Sequence, residues 1–140
     1  MDDGMDFMRA MKIATSGLRA QAGRLRVLTE NLANAESTAQ APGGDPYRRK
    51  VPTFSSELDR TLNARVVTMG AIKPDQSAFR IRHEPGNPAA DTSGNVKYPN
   101  VNPTIEMTDM REAQRSYEAN LNVISATRRM IQRTLDILKT

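Results

Sequence analysis

The 140-residue chain contains no cysteine. That excludes disulfide frameworks, thiol nucleophiles and thiolate metal sites, whatever the redox compartment. Aromatic side chains are scarce too, with three Phe, three Tyr and no Trp. Large rings dominate most cores, so a compact core here is thin. No apolar run reaches the ~18 residues that a membrane span needs. The opening MDDGMDFMRA is acidic where a secretory signal is basic and then apolar. The expectation is a chain that neither spans a membrane nor carries a cleavable signal.

Catalytic chemistry is equally thin. His83 is the sole histidine, so no second imidazole completes a metal site, and an exposed loop position is expected for it. Glu84 and Asp91 share its loop without the spacing of a catalytic pair or an acidic metal cage, and are expected to be solvated. The glycine-rich APGGDPY at 41–47 lacks the lysine and helix start of a phosphate loop. These residues point to no enzyme, no cofactor and no small-molecule substrate. Net charge is +4, with basic clusters at Arg48, Arg49, Lys50 and at Arg128, Arg129. Without an aromatic platform or one long basic face, a solvated or subunit-bridging cluster is the better account than a nucleic-acid surface.

Proline and glycine punctuate the chain unevenly. All eight prolines fall between Pro42 and Pro103, and residues 104–140 contain neither Pro nor Gly. Two long helices, about Met5 to Asn34 and 104–139, therefore flank a Pro/Gly-rich centre, dividing the chain into 1–36, 37–103 and 104–140. In the centre, SELDRTLNA at 56–64 suggests a short helix turn. ARVVTM at 64–69 and SAFRIR at 77–82 suggest the two strands of a small β-hairpin.

The first helix carries a heptad-like stripe of Phe7, Met11, Ala14, Leu18, Leu25, Leu28 and Leu32. Turning by about 100° per residue places Ile13, Ser16, Ala20, Gly23 and Val27 on the opposite side. The last helix repeats the pattern, with a main stripe that includes Tyr117, Leu121, Ile124, Ile131 and Leu135. Its second face holds Ala119, Val123, Ala126, Met130 and Ile137. A monomer's surface helix needs only one apolar stripe. The main stripes are expected to pair the helices as an antiparallel coiled coil in a mainly α fold, and the second faces, with Asn31 and Asn34, to meet other subunits. A self-contained helical hairpin is the simpler alternative, and a coiled-coil adaptor is another reading of the same pattern.

NLANAES at 31–37, PGNPAADTSGNVKYPNVNP at 85–103 and EMTDMREAQRSYEANLNVISATRRMIQRTLDIL at 106–138 together resemble the proximal rod proteins of the bacterial flagellar basal body. NLANA alone marks the wider axial family of rod, hook and hook-associated proteins. The combined PGNP, YPNVN and QRSYEAN segments point to the C type. The resemblance implies a structural subunit exported unfolded by the flagellar type III apparatus without a cleaved signal. It implies assembly with itself, with other rod proteins and with an adapter at the rod base, into a periplasmic drive shaft. The terminal helices would form the inner tube. Two departures from the family pattern carry expectations: Pro103 shifts the helix start toward Thr104 or Thr108, and Glu36 replaces a smaller polar residue.

Overall fold

The computed structural model describes residues 2–139. Helix α1 (Asp2–Ala33) is followed by six short strands, β1 (Lys50–Val51), β2 (Phe54–Asp59), β3 (Ala64–Met69), β4 (Lys73–Pro74), β5 (Arg80–His83) and β6 (Asn95–Tyr98), and then by helix α2 (Pro103–Leu138). The strands pair in twos, all antiparallel: β1 with β4, β2 with β3, and β5 with β6.

Both helices form where sequence periodicity places them, but the central pairing differs from expectation. Segment 64–69 pairs with 54–59, and segment 80–83 pairs with 95–98, so the two expected strands do not meet. FSSELD at 54–59 is extended and pairs along its whole length with β3, so tertiary pairing wins over the helix turn. Asp59 fixes the turn that follows, its Oδ1 accepting from the N–H of Thr61 at 3.0 Å and of Leu62 at 3.3 Å, with Asn63 left-handed at φ 49°. Pro103 does not delay α2. It occupies the first helical position, where its missing N–H is harmless, and Asn102 caps the turn by accepting the Thr104 N–H at 3.1 Å.

The chain divides into two compact units, each drawing on both helices and on the centre. In the unit made of Met1–Leu25, Phe54–Gly70 and Arg111–Thr140, partners on α2 descend as residues on α1 ascend. Gly17 faces Asn120, and Arg24 pairs with Glu112 at 3.5 Å. The helices thus run antiparallel here. A Cβ at Gly17 would come within 2.9 Å of the Asn120 side chain, so glycine permits that approach. The more buried positions of α2 are Ala113, Tyr117, Asn120, Ile124, Thr127 and Ile131, a spacing of alternating four and three. The β2–β3 hairpin lies on α1: Val67 N–H donates to Ser16 Oγ at 3.2 Å and Arg9 Nε to the Leu62 carbonyl at 2.6 Å.

The second unit, Arg26–Thr53 with Ala71–Met110, holds the larger core. Ala89, Val96 and Tyr98 pack together with Ala39 and Ala90 against them. Val27, Leu28, Ala35 and Val101 are buried in the same unit.

Candidate functional site

The most buried polar side chains lie in the second unit, at the end of α1 and the start of α2. Asn31 is fully buried, and its carboxamide meets the backbone of Lys50 as a β-strand neighbour would. Nδ2 donates to the Lys50 carbonyl at 2.8 Å, and Oδ1 accepts the Lys50 N–H at 2.9 Å. Tyr47 donates its hydroxyl to the same Oδ1 at 2.6 Å, and Nδ2 reaches Glu106 at 3.4 Å. Glu106, also fully buried, accepts from Arg49 Nε, and Arg49 continues to Asp75 at 3.2 Å. A buried charge is tolerated when paired and hydrogen-bonded, and Glu106 is both.

Burial first, and the charges of Glu30 and Glu106 second, push the Tyr47 phenol up to about 12. Burial alone would lower the Arg49 pKa, but hydrogen bonds and charge from Glu106 and Asp75 raise it. Asp75 is held below its ordinary value by hydrogen bonds from Ser77 and then by Arg49. Asn100 closes the cluster: its Oδ1 accepts the Arg49 N–H at 2.8 Å and its Nδ2 donates to the Asp75 carbonyl at 2.9 Å. Every group serves another within the chain, so the cluster is a clamp that fixes the helix ends to the centre.

This placement changes the account of the basic run at 48–50. Arg48 donates to the carbonyls of Asp75 and Ser77 and lies over the Phe79 ring, while Lys50 pairs with Glu30 at 2.6 Å. With Arg49 on Glu106, all three cations have intramolecular partners, while the Lys50 side chain stays 42% exposed. Glu36, the departure at the end of NLANAES, pairs with Arg80 and Arg82. His83 ends strand β5 and is exposed beside Asn95. Asp91 is exposed in its loop, as expected, and Glu84 is half-buried, and both also order the local backbone and side chains. Glu84 accepts from Tyr98 at 2.7 Å and Asn87 at 3.0 Å, which lower its pKa, and Asp91 accepts the N–H groups of Ser93 and Asn95. Among the described residues, no group of three His, Cys, Asp or Glu could hold a metal ion, and no helix is long and apolar enough to cross a membrane.

The residues assigned to subunit contact divide by helix. Ala20, Val27 and Asn31 are buried inside the chain, Ser16 binds β3, and Gly23 is covered by the Met69 thioether. At Ser16, Gly23 and Asn31 the neighbours come from the central segment of the same chain. Asn34 caps its own helix, donating to the Glu30 carbonyl at 2.8 Å. Ile13 on α1 stays exposed, as do Ala119, Val123, Met130 and Ile137 on α2, while Ala126 is half-buried. Of the pairing residues, Leu28 is buried, and Met11, Leu18, Leu25, Leu32, Tyr117, Ile124 and Ile131 are half-buried. Leu121 and Leu135 are exposed instead, at 44% and 48%. Leu121 sits at the edge of the stripe centred on Asn120, Ile124 and Thr127, and every residue from Gln132 to Lys139 is exposed. Tyr47, Arg49, Asn100 and Glu106 went unnoticed in the sequence as a cluster. The one local sign was Asn100 within YPNVN.

A fold whose polar groups are turned inward as clamps, and whose spare apolar surface lies along a helix, defines a structural subunit. A family model described as "Flagellar basal body rod FlgEFG protein C-terminal" matches residues 92–137. Over 93% of this chain and 94% of the relative, the sequence is 55% identical to the flagellar basal-body rod protein FlgC of Agrobacterium fabrum. It is 38% identical to the FlgC of Salmonella typhimurium over 95% of this chain and 98% of the relative. For Aquifex aeolicus FlgC the identity is 37%, over 96% and 99%. The chain belongs to the flagellar basal-body rod protein FlgC family. That membership sets aside the non-flagellar adaptor.

Proposed function

We propose that the chain is a structural subunit of the proximal rod, assembling with copies of itself and other rod proteins into the shaft that carries motor torque across the periplasm. The observation that carries this reading is the wet apolar surface of α2. Val123, Met130 and Ile137 recur every seven residues at 46%, 54% and 73% exposure, and Leu138 reaches 76%. An exposed apolar row of this kind on a helix is a packing surface. In the assembled rod, α1 and α2 pair as an antiparallel coiled coil in the inner tube, with Ile13, Ala119, Val123, Ala126, Met130 and Ile137 toward neighbours. Export through the type III apparatus without a cleaved signal, and contact with an adapter at the rod base, complete the reading.

The test is complementation of a strain lacking this subunit with Val123→Ser/Met130→Ser/Ile137→Ser. The variant is expected to be exported and to leave the cells non-motile, without rods. Full motility would overturn the assignment of this face.

A further inference from the structure

The β2–β3 hairpin is fastened to α1 at points that recur every seven residues along one face of the helix. Arg9 holds the Leu62 carbonyl, Ser16 Oγ takes the Val67 N–H, and Gly23 seats the Met69 side chain. The first two are hydrogen bonds. The third is a packing contact made by a sulfur. Met69 is the last residue of β3 and pairs with Phe54 at the open end of the hairpin. A Cβ at Gly23 would lie 2.6 Å from the Met69 sulfur and 3.2 Å from its methyl carbon, so the thioether occupies the space that a side chain would fill. Glycine in mid-helix weakens a helix relative to alanine, and this seat is what it permits. Between hairpin and helix runs a cleft of about 460 Å³, lined by Met69 and by Lys12, Arg19, Glu57 and Asp59. Its charged walls admit water, and Met69 is 36% exposed.

We infer that Met69 is a redox-sensitive latch, whose oxidation to the sulfoxide releases the open end of the hairpin from α1. The oxidant is a small peroxide. The sulfur lone pair attacks one oxygen of hydrogen peroxide, the O–O bond breaks, and the departing hydroxide takes up the remaining hydroxyl proton and leaves as water. Sulfur gives up two electrons and keeps one oxygen. The product is a polar side chain where an apolar one was packed. The N–H groups around Gly23 are engaged within α1, so the new oxygen finds no donor in the seat and turns to water. Release uncovers the Gly23 backbone and leaves the Val67 bond to Ser16 as the next contact to open. Met8 at 60% and Met130 at 54% are more exposed to the same reagent, but among the described residues no glycine seat depends on them. Oxidation before folding has the same result, since the sulfoxide cannot take the seat. The latch holds whether or not the exposed face of α2 has the role proposed above.

The test treats the full chain with hydrogen peroxide, verifies the Met69 sulfoxide by peptide mass spectrometry, and follows amide exchange at 66–69. Exchange there is expected to quicken at least about tenfold, and methionine sulfoxide reductases acting on both epimers are expected to restore it. Met69→Leu, carrying the same sulfoxides elsewhere, is expected to show no change on peroxide treatment. Gly23→Ala removes the seat without oxidation. It is expected to exchange at 66–69 as fast as the oxidised native chain and to gain nothing further from peroxide, because the two changes act on one contact. Unchanged exchange at 66–69 with Met69 fully oxidised, or an equal quickening in Met69→Leu, would overturn the proposal.

Discussion

At the scale of single residues, Asn31 shows why a polar side chain is kept in the middle of a packed unit. Its carboxamide serves the backbone of Lys50 on both sides and the hydroxyl of Tyr47, and it reaches Glu106. Replacing it by alanine leaves several buried groups unsatisfied at once. With each such group costing about 1–3 kcal/mol, Asn31→Ala is expected to destabilise the chain by at least about 2 kcal/mol in urea unfolding. Tyr47→Phe removes one hydrogen bond and is expected to cost only about 1 kcal/mol at neutral pH. It should also change the alkaline limb of the stability profile. The phenol ordinarily titrates at 10.0 and in the fold at about 12. Between those values the unfolded chain has lost the proton that the folded chain keeps, so stability falls as pH rises. The native chain is therefore expected to lose stability relative to Tyr47→Phe across that window, measured by unfolding at a series of pH values. An unchanged difference between the two proteins above pH 10 would remove Tyr47 from the clamp.

At the scale of elements, the end of α1 and the start of α2 are each set by an asparagine that replaces a missing backbone partner. Asn34 returns a hydrogen bond to Glu30 at the end of α1, and Asn102 takes the Thr104 N–H at the start of α2. Asn102→Ala is expected to cost about 1 kcal/mol, the usual value of an N-cap, whereas Pro103→Ala should change stability far less. Thermal unfolding of the two variants checks the ordering. The same contrast shows what was legible beforehand. The long helices could be read because their apolar spacing repeats over eight or more turns and proline stays outside them. The strand partners could not, because pairing joins residues whose local signals say nothing about each other. ARVVTM was recognised as a strand, but its partner FSSELD merged into a run that also fits a helix turn. The second face of α1 was visible as a pattern of small residues at Ser16, Ala20 and Gly23. What covers it was not, since the hairpin and the Met69 thioether reach it from far along the chain. The clamp escaped notice for the same reason: Asn31, Arg49, Asp75 and Glu106 are distant in sequence, and Asn31 and Arg49 carried other readings there.

At the scale of the whole molecule, stability is spread unevenly along each helix, and that distribution yields the last prediction. The second faces alone suggest rapid exchange over all of 1–34 and 104–140 in a free subunit, because helix formation in water is marginal until an apolar face is buried. The clamp divides that expectation. Val27, Leu28 and Asn31 on α1, and Glu106 on α2, are at most 2% exposed, so helix opening there must also break the polar network and wet the core of the second unit. From Gln132 to Lys139 no residue is buried, and side-chain bonds such as Gln132 to Asp136 at 3.1 Å and Thr134 to the Met130 carbonyl at 2.9 Å stay within the helix, to be set against an ordering cost of about 1–2 kcal/mol per residue. Amide exchange on a dilute, verified monomer is therefore expected to be slow at 27–33 and 105–110 and rapid at 132–139. Assembly into the rod should then slow exchange at 132–139, where the exposed surfaces of Leu135, Ile137 and Leu138 become covered, and change little around the clamp. Asn31→Ala should make 27–33 exchange as fast as the α2 end in the monomer. Uniformly rapid exchange in the native monomer would show that the clamp does not form outside the rod, and uniformly slow exchange would show that the end of α2 needs no partner to be ordered.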